Sequence, residues 1–430
     1  MKILAFSNMK KNSNCKISII GLGYVGLPLA IEFSKFYNVV GFDTNFNRVK
    51  DLRNNVDKTK EVKNKNINIK NRILFTTDFK KMVDSEYFII TVPTPVDNKN
   101  EPDLDSLIEA SNTIGSVIKK DNTVIVESTV YPGVTENIVV KNIESKTKLR
   151  WKKDFNLAYS PERINPGDTK YKLKNIKKVI GADSLITLNK VSNLYKKIIH
   201  AGVHKVSNIK IAETSKAIEN AQRDINIAFI NEVAMICNAL KINSDEVIEA
   251  ARTKWNFLDF SPGLVGGHCI GVDPFYLAKA AMKAGHNPEV ILAGRKINDS
   301  MPRYLFKEIK KNLGVESKVL ILGMAFKENV NDVRNSKSIE LARNFLDDNL
   351  QVDCYDPLVN RTDLKKYFDI TIRKPRGKYD CIIITIAHSD FKNLKKESIL
   401  RLLKKNALIV DIRGAWRKIR FPSDIKVWRL

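Results

Sequence analysis

The run Gly21-Leu22-Gly23-Tyr24-Val25-Gly26 stands directly after the apolar stretch Lys16–Ile20 and opens a helical pattern over Leu27–Phe36. A strand that must turn at once into a helix needs three things. It needs a residue free to bend sharply, a second with no side chain where backbone approaches a ligand, and a third where helix and sheet touch. Gly21, Gly23 and Gly26 supply them in that order. The helix that starts there offers unpaired N–H groups to a pyrophosphate, with Tyr24 and Val25 beside it. Asp43 ends the next apolar run, 43 − 26 = 17 residues after the last glycine. A carboxylate there accepts both ribose hydroxyls and disfavours a 2′-phosphate, so the expected cofactor is NAD rather than NADP. Arg48, one turn into the following helix, is a candidate to cover the adenine.

Around this motif, short apolar runs alternate with helical patterns. Strands are expected at Lys16–Ile20, Val39–Asp43, Ile73–Thr76, Tyr87–Val92, Thr123–Glu127 and Leu157–Ser160, with helices over Leu27–Phe36 and Leu104–Ile118. That alternation predicts βαβ units and a parallel sheet. The loops Val92-Pro93-Thr94-Pro95 and Ser128-Thr129-Val130-Tyr131-Pro132-Gly133 leave strand ends at the carboxyl edge, where open α/β sheets bind ligands. Thr94 and Thr129 are therefore candidate donors to cofactor or substrate. Ile211–Leu240 contains neither Gly nor Pro and carries apolar residues at helical spacing. About 30 residues at 1.5 Å each give a helix of about 45 Å, long enough to connect two domains and to supply a dimer surface. After Gly314 the βαβ rhythm returns, with strands at Lys318–Gly323, Val352–Tyr355, Cys381–Ile386 and Leu408–Asp411. The expected fold is α/β, with two parallel-sheet domains joined by a long central helix. The expected boundaries are 1–207 for NAD binding, 208–305 for a central helical dimerisation region, and 306–430 for a second α/β domain.

The length, 430 residues, fits two or three domains of ordinary size. No apolar stretch reaches the roughly 18 residues of a membrane-spanning helix, and Met1–Asn12 lacks the apolar core of a secretion signal. Five scattered cysteines, an odd number, suit a reducing compartment. A cytoplasmic protein with no membrane partner is expected. Lys and Arg number 73 against 48 Asp and Glu, a formal charge of +25. These cations run along the whole chain instead of gathering in one patch. The dense polar stretch Asp57–Arg72 has no interleaved aromatics and reads as a solvated loop. Nucleic acid is therefore not an expected partner, while anionic small molecules suit the same field.

On the long helix, Lys216, Asn220 and Arg223 are spaced i, i+4 and i+7 and share one face. Downstream lies Gly263-Leu264-Val265-Gly266-Gly267-His268-Cys269-Ile270-Gly271-Val272-Asp273-Pro274. Its glycines permit close backbone approach to a ligand and place Cys269 in a loop. A thiolate there needs a positive neighbour, which Lys216 would supply, and Asp273 would orient water. Cys237, Cys354 and Cys381 suit buried structural positions. His268 reads as structural, and no histidine forms a metal site. An NAD site with a loop cysteine suggests a four-electron oxidation of a primary alcohol, by way of a thiohemiacetal and a thioester, consuming two NAD.

The motifs GLGYVGLPLA, VPTPVD, ESTVYPG, YSPERINPGD, KAIENAQRDINIAFINE, KWNFLDFSPGLVGGHCIGVDP, ILGMAFKENVNDVRNS and DIRG occur in this order from about Lys16 to Gly414. In them the chain resembles the UDP-glucose/GDP-mannose dehydrogenase family. SPERINPGD and GLVGGHCIGVDP look like its branch acting on UDP-N-acetylhexosamines in capsule and Vi-type polysaccharide pathways. The resemblance implies two Rossmann-like domains, the second binding the UDP-sugar. It implies Cys269 as nucleophile, Lys216 and Asp273 for oxyanion and water, Asn220 assisting, and Glu162 in water activation and thioester hydrolysis. Pro166 stands where the UDP-glucose branch has a second acid. Thr129 would lie near the nicotinamide, and Arg334 would meet NAD. Arg163, Ile164, Arg223, Gly263, Lys327 and Arg413 would line the UDP-sugar site, with Lys216 and Asn220. Arg252 would reach the substrate of a neighbouring subunit, making a homodimer with a shared active site.

Overall fold

A computed structural model describes residues 15–59, 61, 62, 64, 67, 72–97, 101–164, 172–267, 270–360, 362, 364, 365, 370 and 374–430. The chain divides into two compact units, Met1–Glu219 with Phe275–Ala284, and Asn220–Pro274 with Gly285–Leu430. His268, Cys269, Pro166 and the first 14 residues lie outside the described residues.

In the first unit the apolar runs become strands because branched side chains on an extended backbone are buried on both faces only within a covered sheet. The elements are β1 (Lys16–Ile20), α1 (Gly26–Ser34), β2 (Asn38–Phe42), α2 (Phe46–Arg53), β3 (Ile73–Thr76), β4 (Tyr87–Ile90), α3 (Asp105–Gly115), β5 (Thr123–Val126), α4 (Val140–Glu144), β6 (Asn156–Tyr159), β7 (Lys178–Ala182), α5 (Leu185–Lys196) and β8 (Val203–Lys205). The sheet order is β3-β2-β1-β4-β5-β6-β7-β8. It reverses between β1 and β4, the switch point of a doubly wound sheet. Ile17 and Ile19 pack on one face with Leu27, Phe33 and Val191. Ile20 and Val126 pack on the other with Leu107 and Ile114. The expectation of a parallel sheet meets one exception: β7 runs antiparallel to β6, pairing Ala158 with Ala182 and Tyr159 with Gly181.

The long helix, α6 (Ile209–Leu240), has 32 residues, about 48 Å at 1.5 Å each. It starts two residues earlier than its apolar pattern, because the Asn208 side chain accepts the Ile211 N–H at 2.9 Å and caps it. The helices α7 (Ser244–Arg252), α8 (Asp273–Lys283) and α9 (Glu289–Lys310) follow. The second sheet comprises β9 (Lys318–Leu322), β10 (Gln351–Tyr355), β11 (Tyr379–Ile384), β12 (Leu403–Asp411) and β13 (Lys426–Arg429), with α10 (Lys337–Asp347) between β9 and β10. Its order is β10-β9-β11-β12-β13, all parallel. Val319 and Ile321 join Leu305 and Phe345 on one face, and Leu320 and Leu322 join Phe391 and Trp416 on the other.

The two sheets share one turn. At the end of β1, Gly21 has φ +92°, its N–H donates to Phe42 O at 2.9 Å, and the Thr91 hydroxyl lies 3.0 and 2.7 Å from the Ile20 and Gly21 carbonyls. At the end of β9, Gly323 has φ +97°, its N–H donates to Tyr355 O at 2.9 Å, and the Thr385 hydroxyl lies 3.1 and 2.5 Å from the Leu322 and Gly323 carbonyls. One expectation fails locally. Asp57, assigned to a solvated loop, is buried and pairs with Arg48 at 2.9 Å. Burial pushes its carboxyl up, but donors from Thr59 and Val62 and the Arg48 ion pair together outweigh it and hold the carboxyl below the usual range. Among the described residues, no helix is long and apolar enough to cross a membrane.

Candidate active site

The dinucleotide turn is built closely. A Cβ on Gly26 would collide with the Gly21 carbonyl oxygen, so helix and turn touch there, while a Cβ on Gly23 would meet nothing within 4 Å. The N-cap position of α1 is Val25, whose side chain makes no capping hydrogen bond. Asp43 takes Leu22 N–H on Oδ2 at 2.8 Å and Asn45 N–H on Oδ1 at 2.9 Å, which leaves about half of its acceptor sites for ribose hydroxyls. Open space over Gly23, an uncapped helix start and a half-used carboxylate are what a dinucleotide needs. Tyr24 and Val25 are half-buried at that helix start. Arg48 is tied to Leu22 O at 2.8 Å and to Asp57.

The loops after β4 and β5 are fastened together. The Thr94 hydroxyl donates to Thr129 O at 2.6 Å, and Ser128 donates to Val92 O at 2.7 Å. Tyr276 of α8 donates to the Thr94 carbonyl. Below them, Glu213 of α6 is fully buried and receives the N–H groups of Gly133 and Thr135 at 2.5 and 2.9 Å. Burial, against those two bonds, pushes its carboxyl up to about 7.

Glu162 follows β6. Its Oε1 accepts the Arg163 and Ile164 N–H groups at 2.6 and 2.7 Å, and Oε2 lies 3.1 Å from the Lys178 ammonium. Arg163 reaches Glu219 of α6 at 2.8 Å, and Ile164 packs against the first core. On α6 itself, Lys216 is 7% exposed and pairs with no carboxylate among the described residues. One turn on, Asn220 donates to Asp273 Oδ2 at 2.5 Å, both side chains being buried. That bond joins the expected helix stripe to the end of the cysteine loop. Arg223 is exposed.

The second unit carries the remaining candidates on loops and at the end of α7. Asn231 of α6 holds both the N–H and the carbonyl of Gly263, at 2.8 and 3.1 Å, and its amide N–H also donates to Asn298 Oδ1 at 2.9 Å. Arg413 lies against Gly263, where a Cβ would come within 2.6 Å of its guanidinium, and donates to Pro262 O at 3.3 Å. Gly267 exchanges hydrogen bonds with Asn335 at 3.1 and 3.0 Å, which sets Gly267 beside the segment that carries Arg334. Arg334 is exposed and pairs with Asp332 at 2.7 Å. Arg252 sits on Asp259 at 2.7 Å and on Ser261 at 3.0 Å. Asp356, the counterpart of Asp43, is fully engaged. Oδ2 takes the Met324 and Ala325 N–H groups and His388 Nε2 at 2.7, 3.0 and 3.0 Å, and Oδ1 takes Leu358 and Val359.

Sequence reading missed Lys178, Glu127, Glu213, Asn231 and Asp356. Each is a polar residue inside or beside an apolar run, and its partner stands more than 30 residues away in most cases. Cys15, Cys237, Cys354 and Cys381 are buried and free. Burial pushes the Cys15 and Cys354 thiols up to about 12, beyond useful nucleophilicity. Among the described residues, no three metal-ligating side chains converge.

Sequence profiles of the UDP-glucose/GDP-mannose dehydrogenase family match over their NAD binding domain at residues 15–199, central domain at 210–300 and UDP binding domain at 320–418. A UDP-N-acetyl-D-glucosamine 6-dehydrogenase of Pseudomonas aeruginosa is 46% identical over 406 residues, 93% of this chain and 96% of that one. Its namesake in Salmonella typhi is 44% identical with the same coverage, 93% and 96%. The solved structure of a UDP-D-ManNAc dehydrogenase from Pyrococcus horikoshii superposes with a TM-score of 0.86 at 30% identity, covering 96% of this chain and 98% of that one. The chain belongs to the UDP-glucose/GDP-mannose dehydrogenase family and is an NAD-dependent UDP-sugar dehydrogenase with two Rossmann-like domains.

Proposed function

We propose that the enzyme oxidises the carbon-six hydroxyl of a UDP-N-acetylhexosamine, UDP-GlcNAc or UDP-GalNAc, to the uronic acid for surface polysaccharide synthesis. The observation that carries the substrate is the 44–46% identity to two enzymes named for UDP-N-acetyl-D-glucosamine, against 30% to one named for the manno sugar. NAD, when bound beside Gly23 and Asp43, would supply the hydride acceptor for each of two oxidations at carbon six. Between them, the Cys269 thiolate adds to the aldehyde to give a thiohemiacetal, and the second oxidation makes it a thioester. Water then breaks the acyl–sulfur bond, releasing the carboxylate and returning the thiol. Cys269 lies outside the described residues, so its role rests on its motif.

The surrounding chemistry supports this reading. Lys216 brings a buried ammonium with no carboxylate partner among the described residues, and it stabilises the oxyanion of each tetrahedral adduct. Asn220 uses one amide proton on Asp273 and keeps the other for the same oxygen, while Asp273 orients water. Glu162 and Thr129 serve the water step, Arg163, Ile164, Arg223, Gly263, Lys327 and Arg413 bind the UDP-sugar, and Arg334 meets NAD with Arg48 and Thr94. In this reading, 1–207 binds NAD, 208–305 carries the cysteine loop and dimer surface, and 306–430 binds the UDP-sugar in a cytoplasmic enzyme. A homodimer is supported by the apolar side chains exposed along α6 and beyond, Phe229, Ile236, Leu240 and Trp255, the last 88% exposed. Arg252 would then complete the partner's site.

The test counts NADH formed per nucleotide sugar consumed across gluco, galacto and manno N-acetyl sugars and UDP-glucose. Two NADH per sugar, fastest with an N-acetylhexosamine, is expected, and a ratio near one sinks the covalent route. Cys269→Ser is expected to bind UDP-sugar and form no acid.

A further inference from the structure

Parallel strands deliver their carboxyl ends to one edge of a sheet. Glu127 follows β5 and Glu162 follows β6, so both carboxylates stand at that edge. Another parallel strand would add its own carboxyl end there. Because β7 runs the other way, it is the amino end, Lys178, that reaches them. The Lys178 ammonium lies 2.7 Å from Glu127 Oε2 and 3.1 Å from Glu162 Oε2. The Tyr195 hydroxyl of α5 donates to the other oxygen of Glu127. The preceding residue also contributes, since Lys177 O accepts Arg163 Nη1 at 2.9 Å, while the rest of that guanidinium faces Glu219. Lys177 and Lys178, at the entry to β7, thus grip both members of the Glu162–Arg163 pair.

The charge count is uneven. Two carboxylates share one cation where the side chains of Lys178, Glu127 and Glu162 are 3%, 0% and 9% exposed. Burial pushes the Glu127 carboxyl up against the pull of Lys178, and the neighbouring Glu162 charge adds to the rise. For Lys178 the two carboxylates outweigh burial, and the ammonium is held charged. Burial and Glu127 keep the Tyr195 phenol protonated, so it remains a donor.

We propose that Lys178, anchored by Glu127 and Tyr195, is a positioning residue for Glu162, fixing its carboxylate and the Arg163–Ile164 backbone in the arrangement used when water attacks the thioester. This rests on the role given above to Glu162 in the hydrolytic step. Both hydride transfers precede that step. A loosened Glu162 therefore stalls the acyl-enzyme after two NADH have formed.

Lys178→Met is expected to give a rapid burst of two NADH per site, followed by turnover slowed on the order of 100-fold. Lys178→Arg should recover part of it, and the KM for NAD should stay within about threefold of the parent. General damage to the fold would shrink the burst and weaken NAD binding together. A folded Lys178→Met protein with parental turnover, or a slow one without a burst, overturns the proposal. Should that variant fail to fold, Glu127→Gln provides the test, because it removes one negative charge and keeps the shape. Lys178 then pairs with Glu162 alone, and the acidic limb of the kcat–pH profile moves to lower pH by about half a unit or more. An unmoved limb overturns the proposal. If the parent enzyme yields one NADH per sugar, the hydrolytic reading itself fails, independently of Lys178.

Discussion

Gly23 and Gly26 are three positions apart and differ in what a methyl group would meet. At Gly26 it strikes the Gly21 carbonyl oxygen, so Gly26→Ala should destabilise the first unit by about 1–3 kcal/mol and abolish NAD binding, as thermal unfolding and cofactor titration will report. At Gly23 it meets only open space. Gly23→Ala should keep the melting temperature and raise the KM for NAD at least tenfold. Equal losses of stability in both variants would refute this division of labour. Glu213 makes a residue-scale prediction of another kind. Its folded value, about 7, lies above the ordinary 4.5, so the native state holds a proton that the unfolded state releases between those values. Stability should therefore fall as pH rises from about 4.5 to 7, by about 3 kcal/mol in all, and level off above. Glu213→Gln fixes the uncharged form, and its stability should lose that slope in urea titrations at stepped pH.

Strands and helices were legible where periodicity alone decides them. β1, β3 and β9 start where their apolar runs start, and α6 differs from its pattern only through the Asn208 cap. β7 was not legible. It opens on a lysine, which reads as solvent-facing, and direction within a sheet leaves no trace in a five-residue run; only the return of the chain from β6 makes it antiparallel. Asp43 was readable because the spacing from Gly26 is local. Glu127, Lys178 and Glu162 were not, because their pairing crosses three strands. The same holds for Asn231, whose amide fastens a loop 32 residues away. Asn231→Ala would strand both backbone groups of Gly263 in a buried place, at a cost of about 1–3 kcal/mol each. The loop bearing Gly263 should loosen, raising the KM for UDP-sugar while that for NAD stays unchanged. An unchanged KM for UDP-sugar in a folded variant would contradict the clamp.

For the whole molecule, the charge of +25 is spread over two units that serve two anionic ligands. Each ligand should stabilise the unit that holds it. NAD at 100 times its Kd contributes about 2.7 kcal/mol, and with UDP in its place the shift should appear in the other unfolding transition. Both ligands moving one transition equally would count against separate sites. The repeated turn has a kinetic consequence. Both sheets fold the same glycine–threonine hairpin of bonds, yet His388 and four backbone N–H groups leave Asp356 no acceptor for a ribose. A chain that carries one nucleotide-seating plan twice has thereby made its two seats non-interchangeable. Titration should find one NAD per chain. Excess NAD should leave the enzyme fully active instead of competing with UDP-sugar, so the enzyme can run in a cofactor pool far larger than its substrate pool.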